Sequence, residues 1–133
     1  MPDAYDDPEA MWQAFARGVI TLHLADGGAA RAGVDRMPWP GVIHVITAWN
    51  PGFTATAAEN EAANIRLLAE LDDRGIVHCP ATGADPDGSW SEDGFAVTGL
   101  TRAEAIELGQ RHGPLAIYEI DGTDVVIVDC RPT

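Results

Sequence analysis

Residues 42–49 are apolar at nearly every position, and no other segment narrows the fold as much. A strand with one wet face alternates apolar and polar residues, whereas an unbroken apolar run belongs to a strand covered on both faces. The run therefore marks a central strand inside a sheet. It leads into Asn50-Pro51-Gly52, which is turn chemistry, and then into Thr56-Ala57-Ala58-Glu59. That tetrad fits a capping box, in which hydroxyl and carboxylate satisfy each other's free backbone N–H groups. A helix is expected to start there and to end near Arg74-Gly75.

The remaining segments supply partners for that unit. Asp7-Pro8-Glu9 opens a short amphipathic helix carrying Met11, Trp12 and Phe15 and stopped by Gly18. Residues 19–24 alternate as a strand, and residues 25–40 read as a loop. Residues 76–83 and 90–99 read as strands joined by Asp85-Pro86-Asp87-Gly88. A second capping box, Thr101 to Glu104, opens a helix closed by His112-Gly113-Pro114. Residues 115–120 and 124–128 form a last hairpin around Asp121-Gly122, a dipeptide suited to a type I′ turn.

From residue 42 onward the order is strand, helix, strand, strand, helix, strand. The fold expected is α+β, with a ferredoxin-like split β-α-β core. Its sheet is largely antiparallel with helices on one face, preceded by an extra N-terminal helix and strand. At 133 residues, with no linker or repeat, the chain reads as a single domain over residues 1–133.

The formal charge of −13 arises from 21 acidic residues against eight arginines, with no lysine. Neither nucleic acid nor an anionic membrane surface suits such a chain, because both are bound through clustered cations. No apolar run approaches the roughly 20 residues that a membrane span needs. The acidic opening residues lack the basic and apolar regions of a secretory signal, so a soluble, cytoplasmic protein is expected. Cys79 and Cys130 are then reduced, and neither belongs to a Cys-x-x-Cys unit. His23, His44, His78 and His112 lack ligand spacing, so no metal or cofactor is implied. His44, inside an apolar strand, reads as a core histidine. Cys79 has no basic neighbour to activate it, and Ser89 and Ser91 have no nucleophile-elbow context.

Asn60 and Asn64 are the residues that do not fit a plain core helix. Leu67, Leu71, Leu68 and Ile65 define an apolar arc, and both asparagines point into it. A buried carboxamide without a partner costs about 1–3 kcal/mol, so these side chains hold either a loop or a ligand. Trp49, Asn50, Glu59, Asn60 and Asn64 are expected to converge where the central strand ends and the helix begins. Trp90 and Glu92, two apart on a strand, share a face and join the same cleft if their strand is its neighbour. The leading reading is a pocket for a small polar or anionic ligand at the C-terminal end of the central strand. The alternative is an acidic protein-interaction module whose asparagines are purely structural, with a protein as partner. Catalysis stays undecided, and no glycine spacing names a nucleotide.

The run Ile46-Thr47-Ala48-Trp49-Asn50-Pro51-Gly52, the spaced Glu59-Asn60 and Asn64, the stretch from Gly83 through Asp87-Gly88-Ser89-Trp90-Ser91-Glu92, and the context of Gly99 and Ala105 resemble a bacterial domain-of-unknown-function family, number 3293. The resemblance extends from Trp12 to the last hairpin and implies no assigned activity. Where that family reads Phe-Gly-Gln after the last helix, this chain has His112-Gly113-Pro114, with Gln110 close by.

Overall fold

The structure, a computed structural model, describes residues 13, 16–47, 56–87, 91–112 and 116–131. Its strands are β1 (Val19–His23), β2 (Ala29–Arg31), β3 (Val42–Ile46), β4 (His78–Ala84), β5 (Ser91–Thr98), β6 (Ala116–Asp121) and β7 (Asp124–Asp129). They form one sheet in the order β2-β1-β4-β5-β3-β6-β7, with every neighbouring pair antiparallel. Helix α1 (Ala57–Asp73) links β3 to β4 across β5, and α2 (Arg102–His112) links β5 to β6 across β3. The architecture is α+β.

Both capping boxes form. Thr56 N donates to Glu59 Oε1 at 3.1 Å and Glu59 N donates back to Thr56 Oγ1 at 3.1 Å. Thr101 and Glu104 repeat the exchange at 2.9 and 3.1 Å. Gly122, at φ 63°, takes the left-handed conformation that the β6–β7 turn requires.

Alternation along β3 explains its two-sided apolarity. Ile46 faces the helices and packs with Leu67 and Leu71 of α1, Ala105 and Leu108 of α2, and Val97, Ile117 and Val128. Ile43 and Val45 face the other way, into a second core with Ile20, Leu22, Ala81, Ala96 and Ile120. Ala32, Met37 and Trp39 pack against that second core. The sheet curls enough that a Cβ on Gly33, just after β2, would meet Val125 Cγ2 of β7 at 3.5 Å.

Glu70 joins the helices. Its carboxylate accepts from Arg74 Nη1 at 3.0 Å within α1, and from Arg111 Nη2 and His112 Nε2 of α2, the latter at 2.9 Å. Burial, with Arg111 and Arg66 nearby, pushes the pKa of His112 below its ordinary value.

Several expectations are corrected. The 25–40 segment contains β2, so two strands, not one, precede β3; three residues of Ala-Ala-Arg carry no alternation to betray a strand. β3 is interior but not the middle strand, which is β5. Ile65 is 61% exposed, so the buried line of α1 runs through Leu67 and Leu71 and excludes it. Most of the N-terminal helix lies outside the described residues, where Gln13, Ala16 and Arg17 are helical. Cys79 and Cys130 are free, and among the described residues no helix is long and apolar enough to cross a membrane.

Candidate functional site

The N-terminal half of α1 stands over β4 and β5 and leaves a groove of about 600 Å³. Ala57, Glu61, Asn64, Ile65 and Leu68 line its helical wall, a stripe at the three- and four-residue spacing of one helix face. Pro80, Ala81 and Thr82 of β4, Asp93, Gly94 and Phe95 of β5, and His23 of β1 form the rest. Phe95 is fixed by the ring of His78, which meets it edge-on with centroids 5.9 Å apart.

The groove is positioned by the place where β3 runs out. Among the described residues the β3–β5 ladder stops at the pair Ile46↔Phe95, so the Asp93 carbonyl two residues earlier has no ladder partner there on that side. Two side chains take its place. Asn64 Nδ2 donates to Asp93 O at 2.6 Å and Thr47 Oγ1 donates to the same oxygen at 2.8 Å. Gly94 permits the close approach, since a Cβ there would lie 2.4 Å from Ile46 O and 2.9 Å from Thr47 Cα. Across the floor, Thr82 Oγ1 lies 2.8 Å from His23 Nε2 and 3.5 Å from Asp93 Oδ1.

The expected site residues are partly brought together. Asn64 is half-buried and lines the groove, where its Nδ2 shares the Asp93 carbonyl with Thr47; residues 48–55, into which its bonds were expected to reach, lie outside the described residues. Asn60 is half-buried one turn earlier, and Glu59 is exposed and engaged in its cap. Neither is among the groove's lining residues. Trp49, Asn50 and Trp90 lie outside the described residues. Glu92 does not join Asn64, although β5 is indeed the neighbour of β3. It pairs with Gly83, and alternation turns it away from the helices, toward Tyr118, whose pKa rises through burial and the Glu92 charge. Its neighbour Asp93 occupies the groove instead. His23, Glu61, Thr82, Asp93 and Phe95 were not anticipated, though Glu61 was readable from its spacing of three before Asn64.

A second polar group sits beneath the start of α2. His44 is fully buried, and its Nε2 donates to Glu119 Oε1 at 2.9 Å, since a carboxylate only accepts. Arg102 grips the same carboxylate through Nε at 2.9 Å and Nη2 at 2.5 Å. These hydrogen bonds, Arg102 first, hold the Glu119 carboxyl down at about 2 despite its burial. The other nitrogen of His44, Nδ1, meets no hydrogen-bonding partner among the described residues. The reading of His44 as a core residue agrees with its burial, but its carboxylate partner was not foreseen.

The chain belongs to the family described as Protein of unknown function (DUF3293), whose model matches residues 46–117. That span encloses α1, β4, β5 and α2, and with them every element of the groove except the strand carrying His23. No curated protein and no solved structure matches the chain.

Proposed function

We propose that this member of the family binds a small polar molecule in the groove between α1 and strands β4 and β5. One observation carries the reading: a concavity of about 600 Å³ in which His23, Glu61, Asn64, Thr82 and Asp93 converge between apolar walls of Ile65, Leu68, Pro80 and Phe95. Small-ligand sites have this size and this mixture, mostly apolar with a few placed polar groups. The anionic ligand suggested by the helix N-terminus loses its support. The capping box already engages first-turn N–H groups, and among the described residues the lining holds two carboxylates and no arginine.

The strand order β4-β5-β3-β6, with each helix crossing over one strand, supports a ferredoxin-like reading of the core. In that reading β1 and β2 extend one edge and β7 the other. Two free thiols accord with a cytoplasmic setting.

A thermal-shift screen against a metabolite panel tests the reading, because a ligand that binds only the native state raises the melting temperature by mass action. A responding compound should lose its effect in Leu68→Trp, which fills the groove. Asn64→Leu should weaken the response and cost about 1 kcal/mol, since Thr47 still satisfies the Asp93 carbonyl. A panel without a response, or responses that survive Leu68→Trp, would sink the proposal.

A further inference from the structure

We draw no further inference here: the strongest candidate, the buried side-chain cluster of His44, Glu119 and Arg102 beneath the start of α2, in which His44 Nδ1 meets no hydrogen-bonding partner among the described residues, carries nothing because the groove along α1 does not reach it and nothing in the structure shows what would approach that nitrogen.

Discussion

Gly94 lies where β3 ends and the chain folds closely over β5. The atoms that a Cβ would strike, Ile46 O and Thr47 Cα, are backbone, so no rotamer change relieves the contact. Gly94→Ala should therefore shift the end of β3 and cost about 1–3 kcal/mol or more in a urea melt. Gly83→Ala is the control. Its Cβ would meet only the flexible Cδ1 of Ile20, at 3.4 Å, and should change stability little. Glu119 gives a prediction in pH. Its folded pKa, about 2, is below the ordinary carboxylate value, so its stabilisation is complete above about pH 4.5 and disappears as pH falls through about 2. The stability gap between wild type and Glu119→Gln, on the order of 2–3 kcal/mol at neutral pH, should close over that window. A gap independent of pH would mean that the carboxylate's charge contributes nothing. Burial of His44 was legible because every neighbour in β3 is apolar. Its partner, 75 residues away, was not, because pairing across a sheet leaves no local trace.

At the scale of elements, helices were more legible than strand faces. Capping boxes are local, and both helices start at the boxes the sequence contains. A strand's alternation says which residues share a face, but not which face meets the helices. In β5 that phase is set by Phe95 and Val97, which pack with the helix-side core and take Asp93 with them; Glu92 goes to the opposite side. The same limit explains Ile65, since an arc of helical apolar residues extends beyond the part that packing covers. The join between α1 and α2 rests on Glu70, whose side chain is 22% exposed and accepts from three cationic or polar side chains. Single exposed pairs contribute about 0–1 kcal/mol, but here one carboxylate serves three partners. Glu70→Ala should cost about 1–2 kcal/mol in urea melts, with the difference narrowing at 1 M salt as the ions are screened. An unchanged melt would mean that the two helices are held by Leu67, Leu71, Ala105 and Leu108 alone.

For the molecule as a whole, element order was readable and spatial order was read only in part. The sequence marks where strands lie, yet nothing local in it puts β5 in the middle or adds β2 at an edge. Composition gave the charge, but which side chains of β4 and β5 line the groove emerged only from the sheet. One feature of that sheet reaches beyond the groove. β3, β5 and β6 each send residues into both cores: Ile46 and Ile43, Val97 and Ala96, Ile117 and Ile120. Loosening the helical layer strips one side of strands whose other side builds the second core. The described residues should consequently melt as one cooperative unit, with calorimetric and van't Hoff enthalpies equal. Leu71→Ala should lower a single midpoint, whereas two resolved transitions would refute the coupling. A cavity opened beneath α1 is thus felt by Ile20 and Leu22, on the side of the sheet that α1 never touches.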